Sequence, residues 1–296
     1  LPDYSNPQIR DGINVSDSSP LADFARLVGG ILVVLAIVVA VLALAAGHLA
    51  KYIPFESEVS IANRFAGPLE RDGSKVVAGF LDALTAKIAA AHDLPPGMQI
   101  TVHYLPDETV NAFATLGGHI AVYNGLMWRM PNENALAMVI SHEIAHVKLR
   151  HPISTMSRGI VVGLALTLVS TAAGGDVVGQ ALGPAGLLTM TRFSRDQERD
   201  ADAAGLAALV KVYGHAGGAT DTFRQLKESF AGKPRPPELF STHPLDDARI
   251  ATIASTARER GWPMAGELTP YPIEVAEAID AARKKASEPY LATESD

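Results

Sequence analysis

Between Leu27 and Ala50 the chain reads LVGGILVVLAIVVAVLALAAGHLA, with no Asp, Glu, Lys or Arg. Arg26 and Lys51 bracket the run. A helix of this length spans roughly 36 Å, enough to cross a hydrocarbon core of about 30 Å. A helix buried in a soluble core rarely stays apolar on every face for so long. The run is also too long, and too far from the first residue, for a signal peptide. The sequence therefore predicts a transmembrane helix over 24–51, preceded by a flexible arm over 1–23 that is rich in Asp, Ser, Asn and Pro. The flanking charges are nearly balanced, so the positive-inside rule gives orientation little to read.

The rest of the chain must then work beside a bilayer. A net charge of −7 argues against nucleic acid as a partner, which calls for a basic stripe. There is no cysteine among the 296 residues, so thiol catalysis, disulfides and Cys-ligated metals are excluded. A transition-metal site must be assembled from His, Asp and Glu.

The remaining elements predict a mainly helical α+β domain. Glu56 to Arg71 and Lys75 to Ala91 have amphipathic helical periods. Stretches 98–105 and 109–116 read as strands. Gly117-Gly118 then turns the chain into a third strand, HIAVYNGL at 119–126, as a hairpin. The expected sheet is small and antiparallel. Pro131-Asn132-Glu133 opens the next helix, with a capping asparagine or a proline at its first turn, and the helix runs to about Arg150. Two apolar stretches follow, 159–173 and 177–190. They read as a helical hairpin (158–190) packed on the domain or dipping into the membrane interface, in preference to a second crossing. Further helices are expected at 194–213, 219–230 and 246–260. The domain is taken as 52–262, with 263–296 a C-terminal extension whose charged end is frayed.

Within the helix opened by Pro131-Asn132-Glu133 lies MVISHEIAHVKLRH, residues 138–151. His142 and His146 are four apart and share one helical face, so both rings can reach one ion. Glu143 is placed to act on a water bound to it, which is the chemistry of HExxH. A catalytic zinc needs a third protein ligand and an open position. His151 is rejected as that ligand, because it is too close in sequence and off the shared face. Glu198 in SRDQERDADAAGL is the better candidate. Asp202, one turn on, can accept the far N–H of a ligand histidine and fix its tautomer.

With HExxH followed by ExxxD, the sequence resembles the HtpX-like and CAAX-prenyl-protease-like zinc metallopeptidases, which are gluzincins. VNAFATLGGHIAVYNGL at 110–126 and STHPLDDARI at 241–250 strengthen the likeness, which covers roughly 55–258. It implies one zinc per chain held by His142, His146 and Glu198, with Glu143 as general base. It also implies that Asn111 and His243 face the scissile carbonyl and that Arg249 anchors the His243 segment. Physically, an Asn amide and a His N–H suit an oxygen that becomes negative. Residues Gly118, His119, Ile120 and Ala121 are read as an edge strand that pairs with an extended polypeptide.

The expected function is a membrane-anchored zinc metalloendopeptidase that acts on unfolded, damaged or misassembled proteins. The expected location is a bacterial inner membrane, single-pass, with the domain on the periplasmic side. The alternative is a chaperone-like or binding protein that keeps the fold without cleaving. An intramembrane metalloprotease is a weaker third reading, because the zinc helix carries polar residues suited to a water-accessible domain.

Overall fold

A computed structural model describes residues 19–65, 73–172, 193–220 and 247–287, with Lys227, Leu239 and His243 between the last two stretches. The first part of the arm, the apolar stretch 177–190 and most of the expected helix at 219–230 lie outside the described residues.

Helix α1 (Pro20–Leu49) covers the apolar run and leaves nearly all of its surface exposed. Helix α2 (Phe55–Phe65) covers the described part of the helix expected at 56–71, whose remainder lies outside the described residues, and α3 (Lys75–Ala91) follows as expected. Ser74 caps α3 through Val77 N. Strands β1 (Thr101–Leu105), β2 (Ala112–Ala114) and β3 (His119–Tyr123) form one sheet. Short helix α4 (Asn124–Met127) leads to the histidine helix α5 (Glu133–Lys148), capped by Asn132 Oδ1 accepting from Ala135 N. Then come α6 (His151–Ala172), α7 (Arg195–Tyr213), α8 (Asp247–Glu259) and α9 (Ile273–Ser287).

The sheet differs from expectation in two ways. Its order is β1-β3-β2, and β1 runs parallel to β3 while β2 is antiparallel to it. The sheet is therefore mixed, although the β2–β3 hairpin forms as read. Gly117 and Gly118 make its turn at φ +72° and +80°. A Cβ on Gly118 would sit 2.0 Å from Gln99 O, so only glycine fits. The second difference is that β3 is a central strand. The edge-strand reading of Gly118, His119, Ile120 and Ala121 is corrected, because β1 and β2 take both sides of β3 and Ile120 and Ala121 are fully buried.

Among the described residues after Gly261, α9 packs into the core. Val275 and Ile279 of α9 are buried in it, and Asn124 Nδ2 donates to Ile279 O. Before α9, the chain crosses the start of α5: Glu133 N donates to Thr269 O, and Thr269 N to Asn134 Oδ1. With this strap on one side and α3, α7 and the sheet around it, α5 is buried on every face from Asn134 to Val147. The expected solvated polar face of this helix is therefore small.

Arg150 ends α5 with a left-handed backbone, φ +61°, and α6 begins one residue later with Pro152 in its first turn. Pro152 is tolerated there because a first-turn residue needs no N–H for the helix. The start of α6 meets the end of α1, where Ser154 Oγ donates to Gly47 O at 2.7 Å, and α6 runs back along α1.

Candidate metal centre

Helices α5 and α7 pack side by side, and their facing turns carry the candidate ligands. His142 Nε2 and His146 Nε2 are 2.9 Å apart. Glu198 places Oε2 3.6 Å from His142 Nε2 and Oε1 3.5 Å from His146 Nε2. His243 adds Nδ1 at 3.3 Å from His142 Nε2 and 3.1 Å from Glu198 Oε1. Ligand atoms from these four buried residues all lie within 4.8 Å of one another. A tetrahedral ion with bonds of about 2.1 Å separates neighbouring donors by roughly 3.3 Å, so this set fits zinc.

The surroundings fix the donors. His142 Nδ1 lies 2.9 Å from Asp202 Oδ1, which leaves Nε2 for a metal. Arg249 bridges the two carboxylates of α7: Nη2 donates to Asp202 Oδ1 at 2.8 Å, and Nη1 pairs with Glu198 Oε2 at 2.6 Å. Arg249 thus sits directly behind two of the candidate ligands. His146 Nδ1 lies 2.9 Å from His151 Nδ1, and Phe193 stacks on the His146 ring at 3.9 Å. His151 is not among the four donors; it stands behind one of them. Its place depends on the chain reversal at Arg150, and the helix-breaking Pro152 was the only sequence signal for it. Phe193 gave none beyond its position next to Ser194.

Glu143 is fully buried. Its Oε2 accepts from Ala114 N at 2.8 Å, and Oε1 lies 3.4 Å from His243 Nε2. Asn111 is buried just before β2, and its Oδ1 has no hydrogen-bond partner among the described residues. His119, away from this cluster, meets His103 across β1 and β3, Nδ1 to Nε2, at 3.0 Å.

At Gly205, two turns beyond Glu198 on α7, the helices approach closely. A Cβ there would lie 3.0 Å from His142 N and 3.2 Å from His142 Cα. Ser141 Oγ donates to Gly205 O at 2.8 Å and meets His92 Nε2, also at 2.8 Å. The spacing from Glu198 marks Gly205 as a same-face residue, and that signal was available in the sequence.

Charge follows from this packing. Burial opposes a charge on His142, yet hydrogen bonds to Asp202 and Glu198 raise its pKa to about 9. Burial likewise raises a carboxylate, but His142 and His243 hold Glu198 well below its ordinary range. His146 is driven down by burial and then by the neighbouring imidazoles. Burial raises Glu143, against the pull of His243 and His142. A raised carboxylate beside donors that favour a metal is suited to proton transfer near neutral pH.

Two imidazoles one turn apart, a glutamate from a second helix and a buried carboxylate beside them define a zinc metallopeptidase domain. The chain belongs to Peptidase family M48, whose sequence model matches residues 78–257. It is 29% identical over 181 residues to the putative beta-barrel assembly-enhancing protease of Vibrio cholerae, covering 58% of this chain and 37% of that one. It is 34% identical over 151 residues to metalloprotease LoiP of Escherichia coli K12, covering 49% of this chain and 58% of the relative. It is 30% identical over 178 residues to the mitochondrial metalloendopeptidase OMA1 of Schizosaccharomyces pombe, covering 55% and 52%. The chain thus matches only part of the length of each of these relatives.

Proposed function

We propose that this chain is a membrane-anchored zinc metalloendopeptidase that cleaves unfolded, damaged or misassembled polypeptides. The observation that carries the reading is the position of Glu143, held by Ala114 N at the rim of β2 and next to the four-donor cluster. Names among the relatives, a beta-barrel assembly-enhancing protease and a mitochondrial metalloendopeptidase, support a role in protein quality control at membranes.

His142, His146 and Glu198 would hold zinc, which when bound supplies a Lewis acid and a water of lowered pKa. Glu143 takes the proton from the attacking water and returns it to the leaving nitrogen. Catalysis needs one open corner, so His243 serves the working site as a donor to the developing oxyanion rather than as a fourth ligand. Asn111, with its side-chain oxygen unpaired among the described residues, is the second polar group at the start of β2.

The substrate is held at β2. Thr115 N bonds to His119 O and Tyr123 N to Asn111 O, so residues 111, 113 and 115 pair with β3. The alternating main chain of Ala112 and Ala114 faces the other way. An extended peptide that adds there must uncover Ala112 and Ala114, both fully buried, and take the Ala114 N–H from Glu143; its backbone then passes beside that carboxylate, which supports selection by extended shape more than by sequence.

Helix α1 spans the bilayer, and α6 enters the same apolar layer beside it. Both are long and apolar enough to cross a membrane by length and composition. This reading replaces the single crossing with a pair of helices. The domain is assigned to the periplasmic side of a bacterial inner membrane. Protease-accessibility mapping in sealed vesicles tests that side: protection of residues beyond Tyr52 from added protease in inside-out vesicles is expected, and their digestion there would reverse the assignment.

The test of mechanism is Glu143→Gln in the full chain. Zinc is expected to stay bound while cleavage of a casein-like substrate falls by about 10²–10⁴-fold. Cleavage at the parent rate would sink the mechanism. Turnover lost on chelation and restored by zinc separates this reading from a non-cleaving chaperone-like protein.

A further inference from the structure

Three stretches of chain that are distant in sequence converge on one buried carboxylate outside the donor cluster. Glu58, in the first turns of α2, is 1% exposed. Its Oε1 accepts from Gly117 N at 3.1 Å, and its Oε2 lies 2.8 Å from Arg150 Nη2. The same Nη2 donates to Ile53 O at 2.8 Å, and the guanidinium sits 5.4 Å from the Phe55 ring.

Each partner stands at a joint of the site. Arg150 comes four residues after His146, and its left-handed backbone turns α5 into α6. Gly117 begins the turn that follows β2, three residues after the Ala114 whose N–H holds Glu143. Ile53 and Phe55 belong to the link that leaves the end of α1. Glu58 and Arg150 together therefore join the turn at the end of the metal helix, the turn that follows the strand holding the candidate base, and the membrane-proximal chain at Ile53. A buried ion pair is a poor stabiliser in itself, because apolar residues of similar volume often serve as well. Its distinctive contribution is a fixed geometry, and here the fixed parts are the two halves of the site.

The geometry points to Glu58 and Arg150 as a positioning pair that sets the end of the metal helix against the β2 edge and ties both to the membrane-proximal segment. This inference rests on the hydrolase reading above. A clamp between the ligand helix and the strand that holds the base acts on alignment, so its loss falls on kcat more than on KM.

The experiment uses the full zinc-loaded chain in nanodiscs, with Glu58→Gln and the double variant Glu58→Gln/Arg150→Met. Four quantities are measured: kcat and KM on a casein-like substrate, the rate of zinc loss to a chelator, and Tm. The amide introduced by Glu58→Gln keeps an oxygen for Gly117 but leaves Arg150 buried without a counter-charge, so the single variant loses stability. The double variant removes that charge, and its Tm returns towards the parent. In both, kcat is expected to fall about 10-fold with KM changed less than about twofold. Zinc loss is expected to accelerate by about 10-fold, as for other losses of support around a ligand. A double variant whose kcat and zinc retention recover together with its Tm would overturn the inference, since the pair would then only hold the fold. If Glu58→Gln fails to fold, the double variant decides alone. If the parent binds zinc without cleaving, the hydrolase reading fails, and the zinc-loss comparison still decides the pair.

Discussion

Two helix pairs organise the molecule, and each closes on a glycine. In α5/α7, a Cβ on Gly205 would press on the backbone of His142, at 3.0 Å from N and 3.2 Å from Cα. In α1/α6, a Cβ on Gly47 would meet the Arg158 side chain, at 2.3 Å from Nε, 2.7 Å from Cγ and 3.0 Å from Cδ. The first crossing sets that Cβ against backbone, so it yields only if a whole helix shifts by a few tenths of an ångström. The second has slack, because an arginine can swing aside. The rigid crossing carries ligand atoms that must keep their spacing to tenths of an ångström. The looser one joins helices whose outer faces are apolar and exposed, where packing and one polar knot of Ser154, Arg158 and Gly47 O hold the pair.

The largest way to break this contrast is to remove a donor. Glu198→Ala takes away a candidate ligand and one of the two carboxylates that flank Arg249. Metal analysis is expected to find the purified protein essentially zinc-free. Activity is expected to fall by more than the roughly 10–100-fold that follows loss of an outer partner. Zinc retained at one per chain would show that Glu198 is not a ligand.

Gly205→Val tests rigidity without touching a donor. The added branch has no room against His142, so α7 must shift and carry Glu198 and Asp202 with it. Overpacking of this kind costs about 1–3 kcal/mol. Zinc affinity, read by chelator competition, is expected to weaken by about 10-fold or more. Unchanged affinity would mean that the crossing is as forgiving as α1/α6.

Proton linkage sharpens the same site. In metal-free protein burial opposes a charge on His142, yet Asp202 and Glu198 raise its pKa to about 9. A raised histidine stabilises the fold fully below its ordinary value near 6.5 and loses that contribution as pH climbs through about 9. Chelated protein should therefore show Tm falling between these values, with a shallower fall when zinc is bound. A flat profile for the chelated protein would contradict a cationic His142.

His151→Phe is a smaller perturbation. Phenylalanine keeps an aromatic ring behind His146 but offers no acceptor to its Nδ1–H. Zinc is expected to bind roughly 10-fold more weakly with little change in Tm. Parental zinc affinity would show that the contact between the two rings is only packing.

What the sequence could and could not reveal follows the range of the forces involved. His142/His146 and Glu198/Asp202 were legible because a helix fixes which residues share a face within one turn. The Asn132 cap and the Gly117-Gly118 turn were legible for the same local reason. Strand order was not. The parallel pairing of β1 with β3 joins residues 18 apart, Thr101 with His119, and nothing within either strand marks it. The outer strand of the described sheet beside the site is therefore β2, not β3. The C-terminal strap was not legible because Thr269 caps nothing in its own neighbourhood; it meets Glu133 and Asn134 across more than 130 residues. Continuing α5 straight on carries His151 off the shared face, whereas the left-handed Arg150 folds it back onto His146.

Gly47→Ala should have the smallest effect, and it bears most directly on the contrast between the two crossings. The methyl group would displace Arg158 from above the end of α1. Arg158 also donates to Ser154 Oγ at 2.9 Å, while Ser154 keeps its own bond to Gly47 O at 2.7 Å. The displaced guanidinium loses one partly buried charged hydrogen bond, worth about 1.5 kcal/mol. Alanine partly offsets this through its better helix propensity, by roughly 0.8–1.0 kcal/mol. Tm in nanodiscs is therefore expected to change by no more than a few degrees, with zinc content and turnover unaltered. A loss of zinc or turnover comparable to that of Gly205→Val would show that α1/α6 is as tightly specified as α5/α7, and that the membrane pair reaches the metal centre through α6 and Arg150.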